Sequence, residues 1–341
     1  MKDRQRAPAW TVPTSGRTFL RQGADHRSRD KGMQQRIVTL TLNPTVDIAS
    51  DADAVQPVRK IRTRAETFDP GGGGVNVSRV VRELGGDTLA VILAGGISGR
   101  LLEELLDQGG VPRRSVPIAG RTRMSHTVHD LSAHLEYRFV PEGPRLTESE
   151  CKTALDVLQS VEGGWLVASG SLPRGAPEDL YARVAAIAAQ RGQRFVLDTS
   201  GAPLKAALGH GVALVKPSRG EFESLLGRKL ETPEEQEEAA LALVRQGAAE
   251  LVAVTLGHEG ALLAEPGGVL RLPALEVPVR SAVGAGDSFL AAMVLALARG
   301  ESPREAFAWG VAAGTAAVMR PGTAHPRRED VEALRRRIGP V

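Results

Sequence analysis

Residues 281–289 read Ser-Ala-Val-Gly-Ala-Gly-Asp-Ser-Phe, and they connect the extended segment 276–279 to a helix predicted over Asp287–Ala298. The first N–H groups of a helix lack intrahelical partners, and the helix dipole adds partial positive charge there. Gly284 and Gly286 let a phosphate approach this backbone closely. The stretch therefore predicts an anion hole, with Asp287 placed to take a proton from an attacking hydroxyl. An ordinary helix cap at Asp287 explains the same spacing equally well.

Strand-like and helical patterns alternate along the chain on the N-terminal side of this junction. Apolar runs typical of strands follow an opening strand at residues 36–42, and they are Thr88–Ala94, Trp165–Ala168, Phe195–Asp198, Ala213–Val215 and Leu251–Thr255. Helical patterns lie between them, at Val75–Leu84, Leu101–Gln108, Pro177–Gln190 and Pro233–Arg245. This alternation predicts an α/β fold with a mostly parallel sheet and helices on both faces.

Two stretches depart from this alternation. Residues 47–68 carry no helical signal, and residues 116–140 show the alternating pattern of β-strands. Together they predict a small β-sheet attached to the α/β body. Such a sheet can act as a lid over a site at the carboxyl ends of the strands.

The first 33 residues differ in composition from the rest. They are polar and basic and show no periodicity, so a disordered extension is expected, and translation from Met33 would omit nearly all of it. An organelle-targeting segment is the alternative, which three Asp residues and the lack of an amphipathic stripe disfavour. Residues 34–341 are expected to form a single body.

Charge and cysteine content exclude several classes of protein. The net charge is only +3, and most of the basic excess lies in the N-terminal extension, so no nucleic-acid partner is expected. No apolar run approaches the roughly 18 residues of a membrane span, so no membrane partner is expected. Cys151 is the one cysteine, which excludes a disulfide within the chain and is typical of the reducing cytoplasm.

A second glycine-rich segment precedes a predicted helix. Residues 69–77 read Asp-Pro-Gly-Gly-Gly-Gly-Val-Asn-Val, and four consecutive glycines carry a large entropic cost unless a ligand must approach the backbone. Asn76 adds an amide on the first helical turn. Because the glycines do not follow the spaced pattern of dinucleotide-binding loops, a dehydrogenase is the weaker interpretation.

Other motifs are ambiguous when each is taken alone. Residues 216–221 follow a strand and offer Lys216 to a phosphate and Glu221 to Mg²⁺, but they also suit an ordinary helix start. Residues 255–261 suit a hairpin turn. Asp47 is expected to end the first strand region, where a carboxylate can bind sugar hydroxyls. The histidines at 126 and 129 point to opposite faces of a strand, so no metal cluster is expected there.

In order along the chain, Asn43-Pro44-x-x-Asp47, the loop 71–76, Gly170-Ser171-Leu172-Pro173, Lys216-Pro217-x-x-x-Glu221 and Gly284-Ala285-Gly286-Asp287 resemble the PfkB branch of the ribokinase-like carbohydrate kinases. The resemblance covers residues 34–335. It implies a three-layer α/β/α domain with a mostly parallel central sheet and a small β-sheet lid, which in relatives commonly pairs with a second copy to make a homodimer.

The glycine loop narrows the resemblance to one substrate group. Kinases of tagatose 6-phosphate and fructose 1-phosphate usually have Lys as the third loop residue, whereas this chain has Gly73, as is typical of minor-type 6-phosphofructokinases. The resemblance therefore implies phosphorylation of fructose 6-phosphate on its 1-hydroxyl by ATP. Tagatose-6-phosphate or fructose-1-phosphate kinase remains an alternative, as does a weakly active ligand-binding paralogue.

The resemblance also implies a role for each motif residue. The base would be Asp287, with an anion hole made by Gly284, Ala285 and Gly286. The sugar phosphate would contact Asp47, Lys60, Arg62, Gly72, Gly73, Asn76, Arg123 and Ser171. ATP would contact Lys216, Ser218, Glu221, Thr255, Gly257 and Gly260, with Mg²⁺ held by Glu221 through water. A monovalent cation such as K⁺ would lie among Ser281, Val283, Ala317, Arg320 and Gly322.

One position departs from the family pattern. Ser218 stands where relatives usually have Asn, whose carbonyl can orient metal-bound water. The shorter serine side chain is expected to alter metal affinity or turnover and to leave the fold unchanged.

Overall fold

The computed structural model describes residues 35–322 and 324–341, so the predicted N-terminal extension lies outside the described residues. The strands in chain order are β1 (Ile37–Thr41), β2 (Thr45–Ala52), β3 (Thr63–Gly71), β4 (Thr88–Ala94), β5 (Arg113–Pro117), β6 (Arg123–Asp130), β7 (Leu135–Phe139), β8 (Trp165–Ser169), β9 (Arg194–Asp198), β10 (Val212–Val215), β11 (Leu251–Thr255), β12 (Ala261–Glu265) and β13 (Gly268–Leu272). The helices are α1 (Gly73–Glu83), α2 (Gly96–Gln108), α3 (Glu148–Ser160), α4 (Leu180–Gln190), α5 (Gly201–Ala207), α6 (Arg219–Leu226), α7 (Pro233–Arg245), α8 (Ala285–Ala298), α9 (Pro303–Val318) and α10 (Arg328–Ile338).

Nine strands form the large sheet, in the order β13-β12-β11-β10-β9-β8-β1-β4-β5. The seven strands from β11 to β5 are parallel. Their carboxyl ends therefore meet along one edge, and the polar residues that end β9 and follow β1, β8 and β10 gather there. Every residue of β1 and β8 is buried, as expected for strands covered on both faces. The predicted fold class is confirmed.

Helices cover both faces of this sheet. On one face, α3, α4, α5, α6 and α7 contribute residues to a core that includes Val38, Leu40 and Val91. On the other face, α1, α8, α9 and α10 pack against Ile37 and Val167. Helix α8 is buried on nearly its whole circumference, which explains its uniformly apolar sequence.

The sequence did not predict the antiparallel end of the large sheet. Strand β12 pairs antiparallel with β11, and β13 with β12. The hairpin turn considered for residues 255–261 is present, and Gly257 and Gly260 both adopt positive φ there, at 63° and 101°.

Four strands form the small sheet, in the order β3-β2-β6-β7. It contains most of residues 47–68 and 116–140, but residues 116 and 117 belong to β5 of the large sheet. Asp47 is the third residue of β2, so its predicted place at the end of the first strand region is wrong. The chain leaves β1 at Thr41 and enters the small sheet within four residues, earlier than the sequence suggested.

Among the helices of the described residues, none has the length and apolarity needed to cross a membrane.

Candidate active site

The glycine-rich loop runs from the end of β3 into α1 and lies against the ends of two core strands. Gly72 has φ 107°, a conformation that side chains rarely adopt. A Cβ on Gly73 would overlap Ser169 Oγ at the end of β8, and one on Gly74 would lie 2.7 Å from Leu40 O in β1. Glycine is therefore required by close packing, and the loop backbone is held at the carboxyl edge of the large sheet.

The two glycine-rich motifs meet at Asp287. Gly284 adopts a left-handed conformation with φ 72°, and α8 starts at the next residue. Asp287 lies in the first turn of this helix, where Asn76 Nδ2 of α1 donates a hydrogen bond of 2.8 Å to its Oδ2. The predicted base and the predicted sugar-binding amide therefore share one site.

Burial raises the pKa of Asp287 to about 7, and the negative charge of Asp198 adds to this effect. The hydrogen bond from Asn76 and the charge of Lys216 oppose it, while Asp47 raises the pKa slightly further. A carboxylate with such a pKa is a stronger proton acceptor than an exposed aspartate and is still ionised just above neutral pH.

Asp198 is an acidic residue of the site that the sequence analysis missed, and burial raises the pKa of its carboxyl group. It ends β9, and its Oδ1 lies 3.2 Å from Lys216 Nζ, which follows β10. Burial lowers the pKa of Lys216, but the carboxylates of Asp198, Asp287 and Glu221 raise it by more, so the lysine stays protonated. A lone acid at the carboxyl end of an apolar strand was the available signal for Asp198.

Lys216 also faces the helix start that carries the base. A Cβ on Gly286 would lie 3.3 Å from Lys216 Nζ, which fixes the ammonium group beside the first turn of α8. The side chain is buried, with 4% of the residue exposed. A protonated amine and the positive end of a helix thus share one small space, and this combination suits a transferring phosphoryl group.

Ser218 and Glu221 form a capping box at the start of α6. Ser218 N and Oγ each donate to Glu221 Oε2 at 2.8 Å, and Glu221 N donates back to Ser218 Oγ at 3.4 Å. The structure therefore confirms the helix start, and the capping hydrogen bonds use Oε2 of Glu221 and not Oε1. The predicted binding of phosphate and Mg²⁺ stays a prediction.

The turn after β11 lies beside this capping box. Thr255 N donates to Pro217 O at 3.1 Å, and an ion pair joins Arg219 to Glu259 in the turn between Gly257 and Gly260. The structure therefore brings the residues predicted for the nucleotide side together along α6.

Asp47 extends from the small sheet toward the same site. Ser125 Oγ donates to its Oδ1, and burial nevertheless raises the pKa of the carboxyl group. Arg123 donates from Nη1 to Pro141 O at 3.0 Å and from Nη2 to Asn43 O at 2.9 Å. Its guanidinium is thus engaged with backbone carbonyls where the chain passes between the two sheets, although its charge still acts on Asp47.

Three predicted sugar-binding residues lie on the surface. Lys60 and Arg62 are exposed in the connection between β2 and β3. The structure therefore does not place them beside Asp287 or the glycine loop. Ser171 is exposed just after β8, next to Gly170, whose N–H donates to Asp198 O at 2.9 Å.

The residues predicted to surround a monovalent cation come from two neighbouring segments. Arg280 N and Ser281 N both donate to Val318 O, at 2.7 and 3.3 Å, which joins residues 280–283 to the end of α9. Ala317 O accepts from Arg320 N at 3.0 Å, and Ser281 Oγ accepts from Val283 N at 3.2 Å. Gly322 follows with φ 56°. The two segments therefore lie side by side, and residues 280–283 directly precede the predicted anion hole in sequence.

Several known proteins are similar to this chain along most of its length. The model of the pfkB family carbohydrate kinases matches residues 40–330. A Mycobacterium tuberculosis protein named ATP-dependent 6-phosphofructokinase isozyme 2 is 44% identical over 305 residues, covering 89% of each chain. An Escherichia coli protein of the same name is 38% identical over 301 residues, covering 88% of this chain and 97% of its own.

Solved structures of phosphofructokinase-2 from Escherichia coli have the same fold. The complex with fructose 6-phosphate superimposes with a TM-score of 0.85 at 37% identity and covers 90% of this chain and 100% of its own. The complex with potassium has a TM-score of 0.87 over the same shares. The family model matches most of the sequence, and the relatives are similar over nearly the same length. The chain therefore belongs to the pfkB family of carbohydrate kinases.

Proposed function

We propose that this protein transfers the γ-phosphoryl group of ATP to the 1-hydroxyl of fructose 6-phosphate. The hydrogen bond between Asn76 and Asp287 carries the proposal, because it joins a ligand-binding glycine loop to a proton acceptor at a helix start. The relatives that share this family membership are named as ATP-dependent 6-phosphofructokinases, and one was solved with fructose 6-phosphate.

The chemistry proposed for the site needs a base and a place for negative charge. Asp287 accepts the proton of the 1-hydroxyl as its oxygen attacks the γ-phosphorus, and the bond from phosphorus to the departing ADP oxygen breaks. The backbone of Gly284, Ala285 and Gly286 and the ammonium of Lys216 face the charge that develops on the phosphoryl oxygens. Positioning and electrostatics supply most of the catalysis in such transfers.

The sugar is proposed to bind between the small sheet and the glycine loop. The carboxylate of Asp47 and the amide of Asn76 suit sugar hydroxyls, and the backbone at Gly72 and Gly73 can approach the ligand without hindrance from a Cβ. Arg123 is proposed to act through its charge, since two of its N–H groups already hold backbone carbonyls. Lys60 and Arg62 reach the 6-phosphate only if their connection moves inward, and Ser171 would lie on the rim.

ATP is proposed to lie along α6, against Ser218, Thr255, Gly257 and Gly260. Mg²⁺ usually keeps several waters and takes one or two carboxylates, so Glu221 Oε1 and the nearby Asp198 fit it. When bound, Mg²⁺ would neutralise charge on the phosphate oxygens. The carbonyl-rich junction of residues 280–283 and 317–322 suits K⁺, which is hard and prefers oxygen ligands. The lone cysteine is consistent with a cytoplasmic enzyme.

A homodimer through the small sheet is also part of the proposal. Asp47, Asp69 and Ser125 pair in register across three strands and lie on one face. The opposite face carries Phe68 and Phe139, which are 43% and 59% exposed. Exposed aromatic side chains on a sheet face are typical of an interaction surface, and a second copy would cover them.

Replacing Phe139 with Glu is expected to convert the dimer to a monomer, because a charge in an apolar interface is costly to bury. Sedimentation velocity at micromolar concentration measures the change. Ile97→Glu is the matched control, since Ile97 is 73% exposed on α2, outside the small sheet, and its replacement should leave the dimer intact. A wild-type protein that sediments as a monomer would contradict the proposal.

The activity is tested with purified protein, MgATP and a panel of fructose 6-phosphate, tagatose 6-phosphate and fructose 1-phosphate, with and without K⁺. We expect the highest kcat/KM for fructose 6-phosphate, because Gly73 leaves the third loop position without a lysine. A tenfold preference for another sugar phosphate, or no transfer to any of them, would overturn the proposal.

A further inference from the structure

Arg79 has a largely buried side chain to which the proposed chemistry gives no role. It lies on α1 one turn after Asn76, and its side chain reaches back across the glycine loop. Nη2 donates to Asp69 Oδ1 at 2.8 Å and Nη1 donates to Pro70 O at 3.1 Å. Only 11% of the side chain is exposed. Helix α1 is thereby tied to the end of β3.

The loop between these two elements is closely packed through its backbone but has no side chains of its own to anchor it. Residues 71–74 are all glycine, which has the greatest backbone freedom to lose on ordering. The N-cap of α1 is Gly72, and no side chain caps this end of the helix. The two hydrogen bonds of Arg79 therefore supply a side-chain restraint that an ordinary Ser or Asp cap would otherwise provide.

The far end of α1 is held separately. Glu83 Oε1 accepts from Arg328 N at 3.2 Å, and Glu83 Oε2 lies 3.4 Å from His325 Nε2. These contacts fix the position of the C-terminal end of the helix. Ser78 Oγ also bonds Thr39 and Thr88 in the core. Arg79 adds a restraint on the face of the first turn that carries Asn76, because residues three apart on a helix share a face.

Asp69 connects this restraint to the sugar side of the site. It pairs with Asp47 in the register of β2 and β3. The hydrogen bond from Arg79 to Asp69 therefore connects α1, which carries Asn76, to the strand pair β2 and β3, which carries Asp47. The two groups proposed to hold the sugar are linked through one guanidinium.

We propose that Arg79 is a positioning residue, which fixes the first turn of α1 against β3 so that the Asn76 amide meets the Asp287 carboxylate. Its guanidinium bonds Asp69 and Pro70, so its proposed effect on the base is indirect. The inference rests on the proposed kinase function, and it adds a group through which the base is aligned.

Arg79→Met tests this role, because it removes both hydrogen bonds and keeps most of the side-chain volume. We expect kcat to fall by roughly 10- to 100-fold, the cost of a displacement of about 1 Å at a reacting group. We also expect the acid limb of the pH profile of kcat/KM to move to higher pH, since Asn76 opposes the effects of burial, Asp198 and Asp47 on Asp287. Arg79→Lys keeps the charge and one donor and should recover part of the rate.

A double-mutant cycle with Asn76→Ala separates positioning from general destabilisation. If Arg79 acts through Asn76, Arg79→Met should change kcat by less than about twofold in the Asn76→Ala background. Arg82→Met is the matched control, because Arg82 is exposed in the last turn of the same helix and should leave kcat and the pH profile unchanged. Additive effects in the cycle with an unshifted acid limb would overturn the proposal.

Hydrogen exchange gives a readout that does not depend on activity. In Arg79→Met the peptide covering residues 69–78 should exchange faster than in the wild type and in Arg82→Met. Unchanged exchange would count against Arg79 even in a protein that phosphorylates none of the sugars tested. An inactive wild type with loop exchange accelerated by Arg79→Met would instead refute the proposed function alone. Arg79→Lys serves for both measurements if Arg79→Met does not fold.

Discussion

Replacing Asp287 with Asn is expected to reduce kcat by about 10²- to 10⁴-fold, the usual contribution of a general base, with little change in KM. Asparagine has the same shape but cannot accept the proton of the attacking hydroxyl. Steady-state kinetics with fructose 6-phosphate measures the loss. Asp87→Asn makes the same chemical change at an exposed ion pair with Arg36 and should leave kcat unchanged.

The pH dependence provides an independent check on the same residue. The pKa of Asp287 is raised to about 7, so kcat/KM of the wild type should rise with pH through about 7 and level off above it. The residual activity of Asp287→Asn should lack this limb. A wild-type acid limb near the ordinary aspartate value, or a full limb in the variant, would remove Asp287 as the base.

In the wild type, the free energy of unfolding should fall as the pH rises, whereas kcat/KM should rise. The pKa of Asp287 in the folded protein lies above its unfolded value of 3.8, so the folded state binds the proton more tightly. The stabilisation that this proton provides is present at low pH and is lost as the pH rises through about 7. Asp287→Asn removes this loss, so the variant should unfold at a higher temperature than the wild type at pH 8, by about 2 °C or more. At pH 4 the two proteins should differ little.

Replacing Lys216 with Met is expected to affect both stability and turnover strongly. The substitution leaves Asp198 and Asp287 buried without their cation, and breaking a buried pair in this way costs about 3–5 kcal/mol. It also removes a positive charge from the proposed path of the phosphoryl group, for which a loss of about 10²-fold in kcat is expected. Denaturant unfolding and steady-state kinetics measure the two effects.

A second substitution distinguishes the two contributions of Lys216. Adding Asp198→Asn to Lys216→Met removes the uncompensated carboxylate and should restore much of the lost free energy of unfolding, while kcat stays low. If the single variant is as stable as the wild type, Asp198 is neutral in the folded protein and the ion pair contributes little.

The local patterns in the sequence predicted the elements and the motifs well. Buried parallel strands are apolar throughout, as in β8, and glycine runs mark places of close approach, as at Gly73 against Ser169. The sequence did not predict β12 and β13, because short apolar runs of this kind also occur in the connections between elements. Only their pairing, β12 with β11 and β13 with β12, identifies them as strands of the sheet.

The side-chain partners within the site could not be predicted in the same way. Nothing near Asp198 in sequence indicates that Lys216 would neutralise it, since packing of β9 beside β10 brings the two together. The engagement of Arg123 with Asn43 and Pro141 likewise depends on where the chain crosses between sheets. Local pattern limits which residues can react, whereas tertiary packing determines their charge states.

The bond between Asn76 and Asp287 joins residues that are 211 positions apart, which has a consequence during synthesis. At about 5–20 residues per second, a ribosome needs roughly 10–40 s to travel from the first to the second. Throughout that interval the nascent chain holds the glycine loop without Asp287, the proposed proton acceptor. On the proposed mechanism, truncated products that end before residue 287 are expected to transfer no phosphate from ATP.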